Sequence, residues 1–196
     1  MIAIIDFGAG NLKSIEKALA LFDSTIVTQD PCEVESADKV VFPGVGAFDS
    51  AMRSIKSKGL DKAIKSAIDD GKPFLGICLG LQLLFSKSEE GTLNGLGIFK
   101  EEVVKMRGRK VPQIGWNQIK IIKQTKILNG IKNGSFFYFV HSYCAKTEGP
   151  IVAAITEYSG SFPSVISSEN VYATQFHPEK SGRSGLKVLK NFARCG

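Results

Sequence analysis

The chain has 196 residues, of which 43% are hydrophobic and 22% charged, which suffices for one core-bearing domain and is too short for two of ordinary size. Its net charge of +6 comes from dispersed basic residues, with a modest concentration in "KEEVVKMRGRK" and "IKIIKQTK" that reads as a solvated face. No aromatic and basic platform accompanies them, so nucleic-acid binding is disfavoured, and no apolar run approaches the roughly 20 residues a membrane helix needs. The opening "MIAIIDFGAG" has neither a basic segment nor a cleavage site and reads as a first strand, which points to the cytoplasm.

Ile2 to Phe7 predicts a strand, followed by a helix over Leu12 to Phe22 with Ile15, Ala18, Leu19 and Phe22 on one stripe. Thr25 to Thr28 and Val40 to Phe42 predict further strands. Ala47 to Asp70 carries helical pattern interrupted at Gly59, and Pro73 to Ile77 a strand that runs into a short helix from Cys78. Strand and helix in alternation imply a parallel sheet covered by helices on both faces. After Gly91 the pattern turns to short β pieces, at Gly97 to Met106, Gln118 to Ile122, Phe136 to Ser142, Val152 to Tyr158, Ser164 to Ser167 and Val171 to Phe176, closed by a helix over Gly185 to Ala193. There is no repeat or linker, so the expectation is a single α/β domain over residues 1–196.

Cys32, Cys78, Cys144 and Cys195 are widely spaced, which favours neither a zinc site nor a disulfide framework. Cys78 stands apart in "FLGICLGLQLLF", at a strand-to-helix junction with a glycine two residues away on each side. This is the pattern of a nucleophile elbow. A helix N-terminus stabilises negative charge there, yet a free cysteine is as readily a small buried hydrophobe, and the five-residue pattern leaves both readings open. Only two histidines can act as a base. His177 lies in "QFHPEKSG", where Pro178 favours an extended histidine, and Glu179 two residues on would share its face and orient the imidazole. The Gly44-Val45-Gly46 turn of "FPGVGAF" follows another strand and can aim N–H groups at an oxyanion. "DFGAGNL" lacks the third glycine of a dinucleotide fingerprint, which argues against nicotinamide or flavin, and no cofactor or metal is expected.

With "IAIIDFGAGNLKS", "FPGVGAF", "LGICLGLQLLFSKSEE", "IGWNQI", "YFVHSY" and "QFHPEKSG" in this order, the sequence resembles the class I glutamine amidotransferases, and within them the glutaminase subunit of imidazole glycerol phosphate synthase. The resemblance implies a flavodoxin-like, mainly parallel sheet flanked by helices, with additional β elements in the second half. It implies a Cys78, His177, Glu179 triad that hydrolyses glutamine, and an oxyanion hole from Leu79 with Gly44, Val45 and Gly46. Gln82, Glu90, Ser142 and Tyr143 match substrate-binding positions, and His141 is left as a satisfied strand histidine. The family's subunit docks on a (β/α)₈-barrel synthase that consumes the ammonia in histidine biosynthesis, and Asn11 within "GAGNL", Trp116, Tyr138 and Lys180 match the docking face. One departure is Gln113, where the family commonly has histidine. It keeps open a paralogue serving another synthase, such as one that amidinates a surface sugar. A non-catalytic regulatory subunit is the other alternative, opposed by the intact Cys78, His177 and Glu179.

Overall fold

The computed structural model describes residues 1–8, 10–108 and 110–196; Ala9, within the "GAGNL" stretch, and Arg109, within the basic stretch, lie outside the described residues. In chain order the elements are β1 (Ile2–Ile5), α1 (Leu12–Leu19), β2 (Thr25–Thr28), α2 (Pro31–Ser36), β3 (Lys39–Gly44), α3 (Phe48–Ser57), α4 (Leu60–Asp69), β4 (Phe74–Cys78), α5 (Leu79–Leu83) and β5 (Phe85–Ser88). There follow β6 (Phe99–Lys105), β7 (Gln113–Gln118), β8 (Lys120–Ile121), β9 (Phe136–His141), β10 (Tyr143–Lys146), β11 (Val152–Glu157), β12 (Ser161–Ser168), β13 (Val171–Thr174) and α6 (Gly182–Ala193).

An eight-stranded sheet in the order β2-β1-β3-β4-β13-β12-β11-β8 forms the centre. From β2 to β13 neighbouring strands run parallel, and from β13 through β12 and β11 to β8 they run antiparallel. The parallel strands read as nearly continuous apolar runs because both faces are covered. Alternate residues divide between the faces: Ile2, Ile4, Val41, Leu75 and Ile77 pack with α1 and α6, while Ile5, Val40, Phe42 and Phe74 pack under α2, α3 and α4. No helix among the described residues is long and apolar enough to cross a membrane.

The expected order of strands and helices in the first half is present, with two additions. Pro31–Ser36 is helical because Asp30 caps it, its carboxylate accepting the Cys32 N–H at 2.9 Å. Phe85, at the end of the apolar run after Cys78, opens β5, which pairs with β6. Its ring is still fully buried. In the second half the expected piece from Gln118 to Ile122 divides between the end of β7 and β8, and "QIGWNQ" forms a strand that the reading did not place. β7 and β9 make a separate antiparallel ribbon in which Trp116 faces Tyr138 and Gln113 faces His141. That strand was hidden because Gly115 breaks the β pattern and its outward side is apolar rather than polar.

Candidate active site

β3, β4 and β13 are adjacent and parallel, so their carboxyl ends bring three stretches distant in sequence to one edge. Gly44 pairs in register with Cys78, which sets the Gly44-Val45-Gly46 turn beside the thiol. Cys78 itself has φ +54 and ψ −106, a conformation that costs a non-glycine residue on the order of 1–3 kcal/mol. The flanking glycines make this sharp turn possible. A Cβ at Gly80 would run into the Phe42 carbonyl oxygen, and one at Gly76 would sit 3.0 Å from the Gly80 carbonyl oxygen, so both are needed for α5 to fold back onto β3 and β4.

His177 follows β13 in extended conformation, φ −94 and ψ +100, as Pro178 requires. Glu179 reaches it by a different route from the one its spacing suggests. Pro178–Lys180 is a 3₁₀ turn, not a continuing strand, and the turn brings Glu179 Oε1 to 2.8 Å from His177 Nδ1. Ser181 braces this turn, its hydroxyl donating to the His177 carbonyl at 2.6 Å and accepting the Tyr138 N–H at 2.9 Å. Nδ1 thus carries the proton given to Glu179. Nε2 is buried without a hydrogen-bond partner among the described residues, yet the Cys78 side chain is near enough to act on the ring. Burial lowers the pKa of His177, but Cys78 and Glu179 together outweigh it and lift the imidazole to about 10.

A cavity of about 310 Å³ opens over the thiol, lined by Val45, Gly46, Cys78, Leu79, Gln82, Glu90, Pro112, Val140, His141, Ser142 and Tyr143. Every residue that the family resemblance assigns to substrate binding therefore lines the same cavity as the thiol. Leu79 is the first residue of α5, where backbone N–H groups have no helical partner. Gly46 has φ +108 with open space at its missing side chain. Gln82 is buried and donates to the Tyr143 carbonyl at 2.8 Å. Glu90 accepts the Phe48 N–H at 3.0 Å; burial raises its carboxyl pKa, that N–H opposes the rise and Asp49 adds to it. Ser142 sits at the bend between β9 and β10, its carbonyl held by the Met106 N–H at 2.9 Å.

His141 also borders the cavity, but both of its ring nitrogens are occupied. Nδ1 lies 2.9 Å from the Tyr143 carbonyl and Nε2 3.1 Å from the end of the Gln113 amide; since the carbonyl only accepts, Nδ1 donates, Nε2 accepts, and Gln113 turns its NH₂ group to the ring. Burial holds its pKa down at about 4, so the ring is neutral at pH 7 and its Nδ1–H donates to that carbonyl. Gln113, the departure from the family pattern, is buried in this contact and does not reach the surface.

Three of the expected docking residues cluster. The Trp116 and Tyr138 rings meet edge to face at 6.2 Å, and Lys180 Nζ stands 6.0 Å from the Tyr138 centroid. Asn11 is exposed at the start of α1, which packs on the 178–180 turn. The pairing of β7 with β9 brings Ile114 and Phe136 beside them. Ile114, Trp116 and Phe136 are 64%, 55% and 52% exposed, on the ribbon face shared with Tyr138 and Val140. Alternation within "QIGWNQ" was the available signal, since a strand places Ile114 and Trp116 on one side.

Comparison with known proteins accords with this geometry. Residues 3–195 match the family model described as glutamine amidotransferase class-I. Imidazole glycerol phosphate synthase subunit HisH of Methanocaldococcus jannaschii is 50% identical over 194 residues, covering 98% of each chain. The protein of the same name from Caldanaerobacter subterraneus subsp. tengcongensis is 52% identical over 197 residues, covering 98% of this chain and 97% of that one. Among solved structures, PurLQS from Thermotoga maritima superposes with a TM-score of 0.75 at 17% identity, covering 97% of this chain and 96% of that chain. A mainly parallel sheet with a cysteine on its central elbow, matched along its length at this identity, places the chain in the class I glutamine amidotransferase family, among the HisH subunits of imidazole glycerol phosphate synthase.

Proposed function

We propose that the chain is a glutaminase, hydrolysing glutamine to glutamate and ammonia through Cys78, His177 and Glu179, as the subunit that supplies ammonia to imidazole glycerol phosphate synthase. The observation that carries this reading is the convergence of the Cys78 elbow, the Glu179-held imidazole and the cavity over the thiol. With the imidazole lifted to about 10, His177 Nε2 already holds the Cys78 proton at pH 7, and the Cys78 thiolate attacks the side-chain amide carbon of glutamine, the carbonyl electrons moving to oxygen. The Leu79 N–H and a peptide of the Gly44 to Gly46 turn hold that oxyanion, the open surroundings of Gly46 permitting the peptide to rotate into place. His177 Nε2–H protonates the leaving nitrogen, the C–N bond breaks and ammonia departs, leaving a thioester. Water then attacks with its proton going to His177, the C–S bond breaks, and glutamate leaves with the thiol restored. Glu179 keeps the imidazole in the tautomer this requires. Gln82, Glu90, Ser142 and Tyr143 bind the amino acid.

The apolar face of the β7–β9 ribbon meets the cavity at Val140 and carries Trp116, Tyr138 and the adjacent Lys180. An exposed aromatic patch of this kind suits a protein partner, and we assign it, with Asn11, to the (β/α)₈-barrel synthase subunit. Ammonia then passes across that interface. Gln113 points inward to His141 and leaves this surface unaltered. Four free cysteines, three of them buried, support work in a reducing compartment, the cytoplasm. The reading is tested by glutamate release from glutamine with and without the barrel subunit. Cys78→Ala is expected to abolish release under both conditions, and undiminished turnover in that variant refutes it.

A further inference from the structure

Gln175 is 0% exposed and lies between β13 and His177, with its backbone N–H bonded to the Ser164 carbonyl at 3.0 Å. Its side chain is bonded at both ends. Oε1 accepts from Gln82 Nε2 at 3.3 Å, and Nε2 donates to Cys78 Sγ at 3.7 Å. Gln82 spends its other amide hydrogen on the Tyr143 carbonyl at 2.8 Å. That carbonyl is also the acceptor of the His141 Nδ1–H at 2.9 Å.

Donors and acceptors in this chain admit one arrangement. A carbonyl only accepts, so Gln82 must present its NH₂ group to Tyr143 and therefore also to Gln175. Gln175 answers with its oxygen, which turns its own NH₂ toward the sulfur. A buried carboxamide is costly unless both ends are bonded, and an apolar side chain would fill the same space without that cost. An N–H aimed at sulfur is rewarded most when the sulfur is charged, because hydrogen bonds to an ion are about twice as strong as neutral ones. The Val140 carbonyl, 3.8 Å from Sγ, can bond only to the protonated thiol.

We propose that Gln175 is a further catalytic residue, its amide N–H stabilising the Cys78 thiolate after the proton has gone to His177, and that Gln82 positions it by fixing which end of the amide faces the sulfur. The proposal rests on the reading of Cys78 as nucleophile. It assigns Gln82 a second task beside substrate binding, one carried out before glutamine arrives.

Alkylation of Cys78 by iodoacetamide in the full chain without glutamine, followed residue by residue by mass spectrometry across pH, tests this apart from turnover. The titratable groups around Sγ are His177 with Glu179 behind it, and His141, Tyr143 and Glu90, which line the cavity; Gln175→Met and Gln82→Met alter none of them. In Gln175→Met the pH of half-maximal alkylation should rise by on the order of one unit. A less stabilised thiolate is also more nucleophilic, with a Brønsted slope near 0.5, so the rate at neutral pH should fall only about threefold while the high-pH plateau rises. Gln175→Glu keeps an acceptor for Gln82 but sets an oxygen against sulfur, and should move the midpoint further. If Gln175→Met does not fold, Gln82→Met, which releases the amide, should give a smaller rise. A midpoint equal to that of the unsubstituted chain in the folded variants overturns the proposal and leaves the assignment of Cys78, judged by Cys78→Ala turnover, unaffected.

Discussion

The two histidines of this chain are both buried, 2% exposed at His177 and 6% at His141, and they border one site, yet their electrostatics are opposite. Burial lowers the pKa of each. At His177 a carboxylate on Nδ1 and the thiol beside the ring reverse that effect and lift the pKa to about 10, whereas His141 meets only a carbonyl and a neutral side-chain amide and stays near 4. Depth of burial therefore does not separate a proton carrier from a scaffold residue. The charge of the partners does, and it follows from a single turn: Pro178–Lys180 swings a carboxylate under His177, while β9 leads His141 into strands whose polar groups are neutral.

Removing the carboxylate should reduce the contrast most. In Glu179→Gln the pKa of His177, followed by NMR of the imidazole, is expected to drop toward its ordinary value of about 6.5, and glutamine hydrolysis to fall by about 10²-fold or more. An unmoved resonance would mean that the thiol alone sustains the shift. The second effect is on stability. Since His141 has a folded pKa below its unfolded one, the unfolded chain takes up a proton first as pH falls, so stability declines between pH 6.5 and about 4. The loss from this group amounts to about 3 kcal/mol, readable from urea unfolding at pH 7 and 4.5 and flattened in His141→Gln. His177 has the reverse sign. Its contribution is full below pH 6.5 and fades as pH rises toward 10. A stability profile of His141→Gln parallel to the parent's would break the comparison. The smallest effect is at the ribbon edge, where Trp116→Ala should weaken binding of the barrel subunit by about 2 kcal/mol without changing unfolding. Unchanged affinity in a titration would remove the ribbon from the interface.

Much of the site is legible in the sequence. The Gly76, Cys78, Gly80 pattern foretold the elbow because it reports a steric necessity that any fold with a helix so close to its strand must meet. Pro178 likewise foretold the extended backbone at His177. Gln175, although inside "QFHPEKSG", was passed over, since a glutamine in a strand carries no local sign that its amide will end at a sulfur supplied by β4. Gln113 departs from the family pattern, and only the pairing of β7 with β9 turns its side chain inward to His141.

By itself the sequence determined the alternating parallel core, the turn at Cys78 and the extended backbone at His177, because each depends on side-chain period or backbone sterics within a few residues. Tertiary structure decided the rest: that the ends of β3, β4 and β13 converge, that two buried histidines acquire opposite charge preferences, and that a line of amides joins the ribbon to the thiol. Hydrogen bonds and charge act through distance in space, and which residues are near in space is settled by strand order.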